Sequence, residues 1–133
     1  MDASDHRTLA VRLGRLFEAV LWDIAIGIGL RIAEAPQLIR WTRGIAVRTG
    51  LTSARHSGGP IELRGVWPLL VRMPCLRRTL ILDAMHWRRG LRSTVVIGVA
   101  KDGARLHAHA WLELPGMAAN STLVAKFRPI AYL

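Results

Sequence analysis

The sequence predicts an α+β fold, and three observations carry that prediction. Apolar residues recur at helical spacing through the first half of the chain. Pro74-Cys75 then opens a further helical stretch, because proline is well tolerated at a helix start. The period next changes: Thr94 to Ala100 is a β-branched run, and Lys101-Asp102-Gly103-Ala104 follows it with a hairpin signal. Helices followed by an antiparallel hairpin imply N-terminal helices and a later helix packed on a small antiparallel sheet.

Each element has its own local reason. Residues 4–33 read as a helix with Ser4 or Asp5 as cap. Leu9, Leu13, Leu16, Phe17, Val20, Leu21 and Ile24 follow the three-four spacing of one buried face. Gly27 and Gly29 lie in the apolar part of this helix and invite a bend there. That apolar part serves either the core or a docking surface, the core reading being preferred. Pro36 ends that element or starts the next, and 37–49 reads as a second helix, which Gly50 stops. A polar, turn-rich loop fills 52–60. Pro68 starts a short helix, and Pro74 ends it. The helix from Cys75 runs to about Arg89, where Arg88 and Arg89 face the negative pole and Gly90 supplies the left-handed cap. Arg105 to Leu114 is the return strand, with His107, His109, Trp111 and Glu113 on one face. Pro115-Gly116 turns the chain, and residues 117–133 close it.

The bulk numbers suit one domain over 1–133, with a helical half at 1–60 and a second half at 61–133. Neither half is large enough to fold well by itself. Apolar residues make up 51% and charged residues 21%, a globular composition. One cysteine rules out an intrachain disulfide and a Cys-rich zinc site. The net charge is +10, and all basic residues except Lys101 and Lys126 are arginine. A GC-rich genome gives the same bias, and no Lys/Arg block is long enough for a nucleic-acid arm. The opening Met1-Asp2-Ala3-Ser4-Asp5 is acidic, unlike a signal peptide. The longest apolar stretch, 19–33, contains Asp23 and Arg31 and is too short for a membrane span. A cytoplasmic protein without a membrane span, nucleic-acid partner or cofactor is expected.

Cys75 and His109 are the chemistry-bearing residues. A lone cysteine is commonly a small buried hydrophobe. At a helix start, however, unpaired N–H groups and the positive dipole end favour thiolate and can hold an oxyanion. Arg72, Arg77 and Arg78 add positive potential. Among the five histidines, His6 and His56 lie far from this helix in the chain, and His86 sits about three turns along it. His107 and His109 share the strand expected to pack against it, and on spacing alone either serves as the base. The same pair with Glu113 admits a zinc reading, but no third ligand of suitable placement is evident. A residue that orients the imidazole is sought at Asn120, Glu113 or Asp102.

Four stretches together carry a resemblance. Cys75-Leu76-Arg77-Arg78-Thr79-Leu80, Trp87-Arg88-Arg89-Gly90-Leu91, Val95-Val96-Ile97-Gly98-Val99 and Ala108-His109-Ala110-Trp111-Leu112-Glu113 occur in that order. In this combination the sequence resembles the transglutaminase-like cysteine proteases of lasso-peptide biosynthesis, over about residues 70–133. The resemblance implies a papain/transglutaminase-like core and removal of the leader from a ribosomally made precursor. By position it makes Cys75 the nucleophile, His109 the base and Asn120 the third member. It gives His107 no role. The length resembles the stand-alone protease of a split system. Its implied partners are the precursor's leader, a separate winged-helix leader-recognition protein and an asparagine-synthetase-like cyclase. Alternatives are an acyltransferase of the same fold and a non-catalytic basic binding module.

Overall fold

The computed structural model describes residues 3–50, 66–117 and 122–133. Its elements are α1 (Ala3–Ile32), α2 (Ala35–Arg48), α3 (Trp67–Leu70), α4 (Cys75–Arg88), β1 (Thr94–Asp102), β2 (Arg105–Glu113), α5 (Thr122–Ala125) and β3 (Arg128–Tyr132). The α+β class is as the sequence reading has it. The β3 strand is additional. It pairs antiparallel with β1 on the side opposite β2, so the sheet order is β2-β1-β3 with a bulge between Ile97 and Gly98.

Helix α4 is the centre of the fold. Leu80, Ile81, Ala84 and Met85 meet Ala19, Trp22 and Ile26 of α1, Leu38, Ile39 and Ala46 of α2, and Val95 of β1. Its start and stop follow from local chemistry. Pro74 is the N-cap, in extended backbone at φ −53° and ψ 144°, so Cys75 and not the proline is the first helical residue. At the other end Gly90 takes φ +77°. Its N–H donates to Trp87 O at 3.0 Å and that of Leu91 to His86 O at 3.0 Å, the paired bonds of a Schellman cap.

Helix α1 departs from the periodicity reading. It is unbroken, and Ser4 and Asp5 fall inside its first turn. Leu9, Leu13, Leu16, Phe17, Val20, Leu21 and Ile24, the expected buried face, are all exposed. Glu18, Ala19, Trp22 and Ile26 are buried instead. The cause is ionic. Glu18 accepts from Arg89 at 3.1 and 2.6 Å and pairs with Arg88 at 3.3 Å, and Asp23 accepts from Arg77 Nε at 2.5 Å. These bonds turn the acid-bearing side of α1 towards α4. The glycines permit the approach: a Cβ at Gly27 would sit 2.6 Å from the Arg77 guanidinium, and one at Gly29 would run into Leu38.

A second polar cluster joins α2, α4 and the sheet. Asp83, fully buried, accepts from Arg43 at 2.8 and 3.0 Å and from the Ser93 hydroxyl at 2.7 Å. Arg43 also donates to Ser93 O at 3.1 Å and Leu133 O at 3.0 Å, and lies over the Trp87 ring at 4.9 Å. A buried carboxylate is tolerated when a cation and hydrogen bonds satisfy it in this way.

The hairpin follows its signal. Asp102 pairs with Arg105, and Gly103 takes φ +57° while Ala104 does not take a positive φ, the pattern of a turn led by glycine.

Candidate active site

Cys75 opens α4 and is half-buried. No side chain caps this helix start, and the first N–H bonded back within it is that of Arg78, to Pro74 O at 3.0 Å. The amides of the first turn are therefore available beside the thiol. On β2, an edge strand, Ala110 is buried and His109 half-buried.

Thr79 ties the two elements together. One turn beyond Cys75, its single hydroxyl proton is shared between two acceptors, the Cys75 carbonyl at 2.8 Å and the Ala110 carbonyl at 3.1 Å. The first turn of α4 is thus fastened to the strand residue next to His109. Sequence patterning assigns Thr79 no role beyond its place in the motif around Cys75. A threonine at i+4 from a cysteine is a weak signal, and its second acceptor lies 31 positions away.

Two aromatic rings stack on the imidazole of His109. Phe127 stacks on it at 5.1 Å and 29°, and Trp111 at 6.3 Å and 21°. Gly98, the cross-strand partner of His109, makes room for the Trp111 indole: a Cβ there would lie 2.6 Å from it. Burial first, then the positive charges of Arg78 and Lys126, push the pKa of His109 below its ordinary value. The neutral imidazole, the form a general base needs, is favoured.

The expected orienting residues separate. Glu113 shares the His109 face, but its Oε1 accepts from Trp111 Nε1 at 3.1 Å. Asp102 is exposed at the hairpin end, four register positions from the partner of His109, or about 13 Å of strand. It is too distant to orient the ring. Asn120 lies outside the described residues. His107 is exposed on the same strand. Among the described residues no three of His, Cys, Asp or Glu come together to hold a metal ion, so the zinc face at His107, His109 and Glu113 gains no ligand set. No described helix is long and apolar enough to cross a membrane.

Arg77 and Arg78, alike in sequence, have opposite fates. Arg77 turns to Asp23 on α1. Arg78 lies with its guanidinium 6.0 Å from the Trp67 ring centre and acts on His109. One residue along a helix is about 100° of rotation, enough to separate a structural cation from one at the site. His86, also on α4, donates from Nδ1 to Leu82 O at 2.7 Å, and its Nε2 is buried without a partner among the described residues.

A half-buried thiol at an uncapped helix start is thus tied, through Thr79, to the strand that carries a ring-stacked histidine. Comparison with family models places this chain in the transglutaminase-like superfamily: that family's model matches residues 62–132, just over half of the chain. The chain belongs to this family, whose members are cysteine peptidases and acyltransferases. Comparisons with curated proteins and with solved structures returned no match.

Proposed function

We propose that this protein is a cysteine peptidase that removes the leader from a ribosomally synthesised lasso-peptide precursor. Cys75 is the nucleophile and His109 the base. The observation that carries the pairing is the Thr79 hydroxyl bonded to the Cys75 and Ala110 carbonyls, which sets the thiol's turn against the histidine's strand. His109 takes the thiol proton. The sulfur attacks the scissile carbonyl, and the resulting oxyanion is held by amides of the first turn of α4. His109 then protonates the leaving amine, freeing the core's N-terminus. Water, deprotonated by the same imidazole, hydrolyses the thioester and releases the leader as a carboxylate. Asn120 is retained as the candidate for orienting the imidazole.

The choice of substrate rests on the ordered motifs around Cys75, Gly90, Gly98 and His109. A partner-dependent protease is supported by α1, whose outer side exposes Leu13, Phe17, Leu21, Ile24 and Ile28. A separate leader-recognition protein is the proposed occupant of that face.

The test is to incubate the protein with a precursor and its recognition protein and to weigh the products. Two fragments whose masses sum to the precursor plus one water support the peptidase. An amine adduct on the leader fragment points to acyl transfer instead. Uncut precursor in the presence of a folded, partner-bound protein rejects the reading. Absence of a complex with the recognition protein rejects the docking face alone.

A further inference from the structure

Most arginines near the core are already committed. Arg43 holds Asp83, Arg77 holds Asp23, and Arg88 and Arg89 share Glu18. Arg78 and Lys126 differ. Neither has a carboxylate partner among the described residues. Each lies instead over an aromatic ring, Arg78 over Trp67 at 6.0 Å and Lys126 over Phe127 at 5.4 Å. Phe127 is the ring that stacks on His109 at 5.1 Å. The two cations come from separate elements, α4 and the turn between α5 and β3, and both bear on the imidazole electrostatically. The carboxylates nearest in the chain form no ion pair with either cation: Glu113 accepts from the Trp111 indole, and Asp102 is at the hairpin end.

Two cations that bear on one imidazole, neither of them in an ion pair among the described residues, make a field that draws an anion. Trp67 is 47% exposed, so its face steadies the Arg78 guanidinium without closing it off from solvent. An arginine grips a carboxylate with two parallel N–H bonds, and a lysine adds a mobile point charge.

We propose that Arg78 and Lys126 form an anion subsite beside Cys75 and His109 that receives a carboxylate of the substrate, an acidic side chain close to the scissile bond. The proposal rests on Cys75 and His109 being the catalytic pair. A carboxylate seated there also offsets the two charges that bear on His109. An acidic substrate therefore gains in the catalytic step as well as in binding.

Because Cys75 is the only cysteine, its alkylation reads the subsite directly. The rates with iodoacetate and iodoacetamide are measured at low ionic strength, and their ratio is compared with that of 2-mercaptoethanol. The expected ratio at Cys75 exceeds the free-thiol ratio by about tenfold. It falls to within about twofold of the free thiol in the Arg78→Gln/Lys126→Gln variant and stays high in Arg78→Lys. A wild-type ratio equal to that of the free thiol, which needs no variant to fold, overturns the subsite. So does a high ratio that the double substitution leaves unchanged. Either result leaves the catalytic pair standing if iodoacetamide still labels Cys75. A Cys75 inert to both reagents removes the pair and the subsite together.

Discussion

Helices α1 and α4 are both amphipathic and both basic, yet the sequence reading places the ends of α4 correctly and the buried face of α1 wrongly. In α4 the informative residues are single and chemical: a cysteine after a proline, two arginines before a glycine. In α1 the informative pattern is a stripe of apolar residues, and that stripe faces outwards. The buried side combines Ala19, Trp22 and Ile26 with long-range ion pairs, Glu18 with Arg88 and Arg89, and Asp23 with Arg77. Length contributes too. At 30 residues α1 spans about 45 Å, while the 14 residues of α4 span about 21 Å, so the core covers only part of α1. Residues 6–14 are exposed all round. Periodicity finds a stripe; it does not say which surface the stripe meets.

Substitutions sharpen this contrast. The largest loss is expected at the polar anchor of α4. Asp83→Ala leaves Arg43 without its carboxylate and should cost about 3–5 kcal/mol in urea unfolding. Next comes a paired comparison on α1. Ile26→Ala, at a fully buried position, should lose about 2–5 kcal/mol, whereas Ile24→Ala, 54% exposed, should stay within about 0.5 kcal/mol. Equal losses at the two sites would mean that the outer stripe is buried in solution. A double-mutant cycle between Asp23 and Arg77 should give a smaller coupling of about 1 kcal/mol, because both side chains keep contact with water. A coupling near zero would remove ion pairing as the reason for the orientation of α1.

The last effect appears only on acidification. Burial is the main cause that holds the pKa of His86 below 6.5 in the folded protein. The fold therefore keeps this imidazole neutral while the unfolded chain protonates it. Stability is undiminished above about pH 6.5 and falls as pH drops through that value towards the lower folded pKa. Thermal melts from pH 8 to 5 should slope less steeply in His86→Leu than in the unsubstituted protein. Parallel slopes would show that other groups govern the acid response.

The same division explains what was legible in the sequence. The hairpin was, because Asp102-Gly103 follows a β-branched run. The places of Cys75 at a helix start and His109 on the return strand were, because turn and cap signals mark those elements without reference to packing. The β3 strand was not: Arg128–Tyr132 is short, contains Pro129 and lacks an alternating pattern. Phe127 on His109, Arg78 over Trp67 and Thr79 to Ala110 were also hidden, since each joins residues far apart in the chain. The orienting residue is narrowed from one side only. Asp102 is too distant and Glu113 is held by an indole, while Asn120 falls outside the described residues.

The most direct test concerns the pair itself. Leader cleavage is measured with the recognition protein present, for the unsubstituted protein and for Cys75→Ala and His109→Ala, each with its thermal midpoint. If Cys75 and His109 are nucleophile and base, both variants melt within a few degrees of the unsubstituted protein, and each loses cleavage by at least about a thousandfold. Cleavage retained by a folded Cys75→Ala protein would contradict the assignment.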